Sequence, residues 1–289
     1  MKALYDVLAP AKLNLFLHIT GRRADGYHLL QSVFMLIDWC DKLHFEVRSD
    51  GVISRSDTGL LELPADDLCV RAARALQAAT GTRLGAHIHL EKHIPAEAGM
   101  GGGSSDAASS LLALQRLWGV RLPADELGAL ALNLGADVPF FLFGGHAWVE
   151  GVGEQLSPIT LPAARFWVIK PSRGLSTHAI FNSLGLKRDT EAATILSFAA
   201  HSSDQIFKFG RNDLQPVAQQ LCPDISQALE CLSAQGMQGR MTGSGSAVFA
   251  PIPADFSAGT EPNACFSGLP DHWQARPCSN LDMHPLAGW

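Results

Sequence analysis

Residues 95–108 read Pro-Ala-Glu-Ala-Gly-Met-Gly-Gly-Gly-Ser-Ser-Asp-Ala-Ala, with glycines at 99, 101, 102 and 103. A backbone this rich in glycine can turn through positive φ and close its N–H groups around a ligand. The run leads into Ala107, Ala108, Leu111, Leu112, Leu114 and Leu117, an apolar stripe at helical spacing that Gly119 ends. Ser104, Ser105 and Asp106 are cap-type residues at its start. Free N–H donors and the positive end of a helix dipole then converge on one point, which suits phosphate. A plain tight turn before a helix is the alternative. Two familiar phosphate motifs do not fit. A P-loop needs a lysine that is absent between Lys92 and Lys170, and a dinucleotide fingerprint counted from Gly99 meets Ser104 in place of its third glycine.

Two more residues have chemistry to offer a bound phosphate. Lys12 lies with Asn14, Phe16 and His18 on one side of an alternating run whose other side is Leu13, Leu15, Leu17 and Ile19. That polar side is either half-solvated or lines a cleft. Asp137 is a lone carboxylate between Gly135 and the apolar residues 138–143, placed to be a turn or cap residue or a partly desolvated base. In 86–94, His87, His89, Glu91 and His93 alternate with Ile88, Leu90 and Ile94. Strand alternation accounts for the histidines as a polar outer face, without a metal.

The elements that must position these residues follow from the same patterns. Strands are expected at 11–19, 31–39, 42–48, 86–94, 138–143 and 165–170. A helix capped by Asp66 or Asp67 ends at Gly81, and a second is opened by Pro123. Residues around 155–164 read as a linker. Ser176 or Thr177 can cap a short helix, and further helices are expected near 190–201, 213–221 and 224–235. Residues 239–249 read as strand, glycine turn, strand. A last helix and a closing strand near 273–279 complete the chain.

Three segments together, 10–15 (Pro-Ala-Lys-Leu-Asn-Leu), 95–108 and 240–249, resemble the three motifs of the GHMP kinases in order, and Gly135-Ala-Asp137-Val-Pro is similar to the segment carrying that family's catalytic aspartate. The resemblance covers residues 10 to 249. It implies an α+β fold, a two-domain α/β protein of the GHMP kinase type. An N-terminal ribosomal-protein-S5-like domain over 1–158 would bind ATP, a C-terminal ferredoxin-like domain would span 159–289, and the active site would lie in the cleft between them. It further implies ATP as co-substrate with Mg²⁺, Asp137 as general base and Lys12 as electrostatic stabiliser. Pro95, Ala96, Glu97, Ala98, Gly99, Met100, Gly101, Gly102, Gly103, Ser104 and Ser105 would wrap the triphosphate, with Ser104 or Ser105 near the metal.

The Gly-Gly-Gly-Ser-Ser-Asp-Ala-Ala ending, Gly26-Tyr27-His28-Leu and Ser176-Thr177-x-x-Ile-Phe181 look most like the branch phosphorylating 4-diphosphocytidyl-2-C-methyl-D-erythritol. In that branch Tyr27, His28 and Phe181 would hold the cytidine ring, and Asn14 and Thr177 would reach the methylerythritol and diphosphate portions. Glu97 stands where the family often has glycine, and we expect it to point to solvent. Asp67 stands where relatives often carry asparagine near the adenine, which leaves adenine contacts by Asp67 and Lys92 open. Another GHMP kinase, acting on homoserine or a sugar, and a catalytically silent nucleotide-binding protein are the rival readings.

Composition fits this picture. At 289 residues, 47% apolar and 17% charged, the chain is of globular type with one large or two medium domains. No apolar run approaches a membrane span, and Asp6, Lys12 and Asn14 interrupt any secretory signal. The six cysteines show no CxxC pair, so free thiols in the cytoplasm are expected. A formal charge of −6 excludes the basic face of a nucleic-acid binder. Attraction for phosphate must therefore be local. A monomer or weak homodimer is the expected state.

Overall fold

The alternating run at 11–19 belongs to a much longer strand. A computed structural model describes residues 2–58, 63–256, 265–266 and 269–289, and in it β1 (Ala3–Arg22) pairs antiparallel with β2 (His28–Arg48) along nearly the whole of both. The two strands expected at 31–39 and 42–48 are thus one. The register shifts between Pro10 and Ala11, opposite the step from Cys40 to Ile37. This irregularity reverses the faces. Val7 and Ala9 before it, with Phe34 and Leu36, join one apolar cluster, whereas Ala11, Leu13 and Leu15 join a second with Val33 and Met35. A bulge of this kind re-aims side chains. Here it turns Lys12 and Asn14 onto the face of Phe34.

The remaining elements build two sheets around that hairpin. β3 (Ile53–Thr58), α1 (Leu68–Thr80), β4 (Gly85–Glu91), α2 (Gly102–Trp118), α3 (Ala124–Leu134), α4 (Val138–Phe143), β5 (Ala147–Glu150) and β6 (Gln155–Pro158) complete the first half. Its sheet runs β3-β4-β2-β5-β6, with β1 on the other edge of β2. The chain then passes to β7 (Arg165–Lys170), α5 (Thr177–Phe181), α6 (Ile195–Ala199), α7 (Ser203–Ile206), α8 (Gln215–Leu221), α9 (Asp224–Ala234), β8 (Arg240–Met241), β9 (Val248–Pro251) and β10 (Gln274–Ser279). The second sheet has the order β10-β7-β9-β8, the split arrangement of a ferredoxin-like unit. Phe166, Val168, Phe198 and Phe249 pack with Leu13, Leu15 and Trp148 in one cluster, so the two halves share buried apolar surface. Each such side chain contributes about 1.5–3 kcal/mol by leaving water. The chain end returns to the first half, where the Leu281 N–H donates to the Leu36 carbonyl at 3.0 Å.

Several expectations need correction. Residues 138–143 form α4, not a strand. Pro139 has no N–H for a sheet ladder but costs nothing in the first turn of a helix, and a six-residue apolar run has no period that separates the two. Part of the expected linker is β6, and the helix expected over 190–201 is reduced to α6 and flanking turns. Asp67, not Asp66, caps α1, its Oδ1 accepting from the Val70 N–H at 3.0 Å. The helix expected before β10 falls largely outside the described residues. Cys40, Cys69, Cys222, Cys231 and Cys278 are free thiols.

Candidate active site

Two glycine loops interlock between the sheets. A Cβ on Gly99 would lie 2.2 Å from the carbonyl oxygen of Thr242, and one on Gly243 would lie 2.6 Å from the carbonyl oxygen of Gly99. Only bare backbones approach this closely. The Ser246 and Ala247 N–H groups donate to the carbonyls of Glu97 and Ala98 at 3.1 and 3.3 Å. The loop of residues 95–101 is thereby tied to the loop between β8 and β9.

α2 starts earlier than the cap-type residues suggested. Gly101, at φ 72°, is its N-cap and no side chain caps it. The first helical bond runs from the Ser105 N–H to the Gly101 carbonyl at 2.9 Å. The N–H groups of Gly102, Gly103 and Ser104 therefore have no partner within the helix. Ser104, Ser105 and Asp106 are first-turn residues. Ser105 is fully buried and its hydroxyl has no partner among the described residues. The Ser104 hydroxyl faces Gly135, 3.7 Å from where a Cβ there would sit.

Lys12 is bound to this loop through its own backbone, its N–H donating to the Met100 carbonyl at 2.9 Å. Its Nζ donates to Asn14 Oδ1 at 2.5 Å, lies 3.6 Å from Asp137 Oδ2 and stands 4.5 Å from the Phe34 ring centroid. Burial lowers the Lys12 ammonium from its ordinary pKa, and Asp137 pulls it part of the way back. Asp137 precedes α4 yet caps nothing with its side chain, which is 32% exposed. It is a carboxylate free to face a ligand, with a cation behind it.

Asn14 is buried and hydrogen-bonded through both ends of its amide. Its Nδ2 donates to Ser32 Oγ at 2.9 Å and its N–H to Thr242 Oγ1 at 2.9 Å. It orients Lys12 from within the protein. Thr242 is a site residue that sequence reasoning missed, although it sits inside the 239–249 string.

Lys92 and Asp67 are also occupied. Lys92 Nζ donates to Asp106 Oδ2 at 2.6 Å and to Asp41, whose Oδ1 accepts the His93 and Ile94 N–H groups at 2.6 and 2.7 Å. Burial depresses the Lys92 ammonium, but Asp106 and Asp41 outweigh it and raise it. Burial, with Asp41 adding, pushes the Asp106 carboxyl well above the usual range against the pull of Lys92. This triad anchors the entrance of the glycine loop. Lys92→Met leaves the buried Asp41–Asp106 pair without its cation and should cost about 3–5 kcal/mol in urea unfolding at neutral pH. A loss under 1 kcal/mol would show that the triad does not hold the loop. Asp67 Oδ2 accepts from Arg55 at 2.7 Å.

Across the loop between β8 and β9, Ser244 Oγ lies 2.7 Å from Thr177 Oγ1 at the start of α5. Phe181 closes that helix with its ring 5.0 Å from the His28 ring at an interplanar angle of 37°. Tyr27 beside it is 65% exposed. Arg188, which no sequence signal marked, donates from Nε to His28 Nε2 at 3.0 Å. Glu97 is exposed at φ 49°, and its carboxylate leans on Gly174 at the rim. The histidines of β4 lie on the outer face: both ring nitrogens of His87 meet Ser54 and Ser56 hydroxyls, and no group of three or more His, Cys, Asp or Glu among the described residues could hold a metal ion.

An ammonium–carboxylate pair thus stands beside two interlocked glycine loops, between two α/β halves. The pattern of the GHMP kinases N terminal domain matches residues 67–145 and that of the GHMP kinases C terminal matches residues 194–260. The chain belongs to the GHMP kinases and is a phosphotransferase. It is 70% identical, over its whole length and 95% of the relative's, to the 4-diphosphocytidyl-2-C-methyl-D-erythritol kinase of Polaromonas sp. (strain JS666). The enzyme of the same name from Polaromonas naphthalenivorans is 67% identical over the whole chain and 97% of its own length. The crystal structure of a 4-(cytidine 5'-diphospho)-2C-methyl-D-erythritol kinase superposes with a TM-score of 0.71 at 33% identity, over 94% of this chain and 98% of that one. Homoserine kinase from Cytophaga hutchinsonii shares the fold at a TM-score of 0.69 and 16% identity, over 98% of this chain and 96% of that one.

Proposed function

We propose that this kinase transfers the γ-phosphate of ATP to the 2-hydroxyl of 4-diphosphocytidyl-2-C-methyl-D-erythritol, a step of the non-mevalonate route to isoprenoid precursors, in the cytoplasm. The observation that carries this reading is the 3.6 Å approach of Lys12 to Asp137 beside the interlocked glycine loops. The 70% identity to a kinase of that name supports the substrate. No helix among the described residues is long and apolar enough to cross a membrane.

Each residue has a defined task. Residues 95–104 cradle the triphosphate with backbone N–H groups at the start of α2. Phosphoryl transfer has a loose transition state, so positioning and charge neutralisation supply most of the rate. Asp137 takes the proton of the acceptor hydroxyl. Lys12 keeps Asp137 ionised and stabilises the developing charge on the transferring group. Donor and acceptor lie in line, and no covalent enzyme intermediate forms. Mg²⁺ would take most of its ligands from phosphate and water, Ser104 and Asp137 would be the side chains at hand to hold it, and it would supply neutralisation of phosphate charge.

Tyr27, His28 and Phe181 hold the cytidine base, with Thr177 toward the diphosphate. Base-on-aromatic stacking is worth about 1–3 kcal/mol. Tyr27→Ala should therefore raise KM for the cytidyl substrate by roughly 10–100-fold and leave KM for ATP within about twofold. Steady-state kinetics with each substrate varied in turn reads this directly, and equal effects on the two would remove Tyr27 from the base site. Assaying homoserine, galactose and the cytidyl substrate side by side tests the substrate itself. Turnover of homoserine alone would overturn the reading.

A further inference from the structure

The hydrogen bond between Arg188 and His28 has a chemical consequence. A guanidinium can only donate, so the 3.0 Å bond from Arg188 Nε makes His28 Nε2 an acceptor. A neutral imidazole with a lone pair on Nε2 carries its proton on Nδ1. No described residue accepts from His28 Nδ1, and the ring is half-buried against Phe181. Arg188 is itself held rigidly. Its Nη1 donates to the Leu186 carbonyl at 3.0 Å, and its Nη2 donates to the Phe181 and Ser183 carbonyls at 3.0 and 2.8 Å. The fork is anchored on the segment that follows α5 and aims one N–H at the histidine.

Resting on the substrate reading above, we propose that Arg188 is a specificity-positioning residue. It locks His28 in the Nδ1–H tautomer, so that the cleft offers a fixed donor to an acceptor atom on the edge of the cytosine base. Cytosine presents ring N3 and carbonyl O2 as acceptors, and a donor fixed beside a stacking ring selects for that edge. The charged groups bearing on His28 agree with a neutral ring. Burial lowers its pKa first, and Arg188 and Arg22 lower it further.

The test is kinetic and spectroscopic on the full-length enzyme. With Arg188→Met the proton is free to move to Nε2, and KM for the cytidyl substrate should rise about tenfold, the loss expected for one hydrogen bond to a substrate, with KM for ATP held. Acid should rescue the variant. Once Arg188 is gone, His28 titrates nearer the ordinary value of about 6.5, and the protonated ring again carries Nδ1–H. KM of the variant therefore falls as pH drops through that range, while the wild-type value stays flat. Ordering of the segment alone would give a rise without pH dependence, and that outcome overturns the proposal. Nitrogen-15 spectra of the wild-type enzyme decide the matter even if Arg188→Met fails to fold: an Nε2–H tautomer for His28 refutes it. Arg188→Lys, which keeps a donor, should retain most of the affinity. An unchanged KM in His28→Ala would instead sink the substrate reading on which this rests.

Discussion

Asp137→Asn will lower kcat by at least about 10²-fold while nucleotide affinity is retained, because it removes a base without removing volume. The carboxylate is one-third exposed, caps no helix and stands 3.6 Å from the Lys12 ammonium. The proposed base role therefore predicts a loss of turnover rather than of folding. The substitution also has a signature in the pH profile. Lys12 must be charged to act, so activity is lost as pH rises through its pKa. Burial already lowers that pKa and Asp137 is the influence that raises it. Without the carboxylate the alkaline limb of the profile must move to lower pH. Lys12→Met should cost a comparable factor of about 10²–10³, as the loss of one preorganised electrostatic donor does elsewhere. Steady-state kinetics with titration of an ATP analogue checks both. An Asp137→Asn enzyme with near-normal kcat, or one that loses kcat and nucleotide binding together, contradicts the assignment.

Gly99→Ala will be nearly as damaging, by a different route. The residue sits at φ 71°, where an L side chain costs about 1–2 kcal/mol. The added methyl would also meet the Thr242 carbonyl oxygen at 2.2 Å and the Gly245 nitrogen at 2.9 Å. Both contacts are backbone, so neither can rotate away, and the two glycine loops must separate. We expect a stability loss of about 3 kcal/mol and a fall in kcat/KM of at least about 10²-fold, since a misplacement near 1 Å is enough for that. Gly119→Ala is the control. It shares a positive φ of 66° but has nothing within 4 Å of the added methyl, so it should lose only about 1 kcal/mol and keep full activity. Denaturant unfolding and kinetics of the two proteins separate backbone strain from loop separation. Equal losses would mean that the interlock is unimportant.

Residue types and their local spacing specify which chemistry is on offer. The glycine string, the lysine on an alternating run and the isolated aspartate are each legible, because a loop of bare backbone, a point charge and a lone carboxylate are local features of residue type. Most helix ends were legible for the same reason, since capping and glycine stops are local. Asp67 and Gly119 behave as their types require. What the sequence left open were choices between equal local options. Residues 138–143 suit strand or helix, and packing of α4 against α2 decided for helix. Ser104, Ser105 and Asp106 all looked like caps, yet Asp106 is taken by Lys92 and Asp41 and Ser105 is sealed in the core.

How distant parts meet is a property of the folded chain. Asn14 depends on Thr242, 228 positions away, and His28 on Arg188, 160 positions away. The turning of Lys12 toward Asp137 comes from a register shift shared by two strands, and no residue type encodes that shift alone. Local spacing fixes which atoms can act, whereas the direction in which each is aimed is a property of strand register and of backbones packed too closely for any side chain.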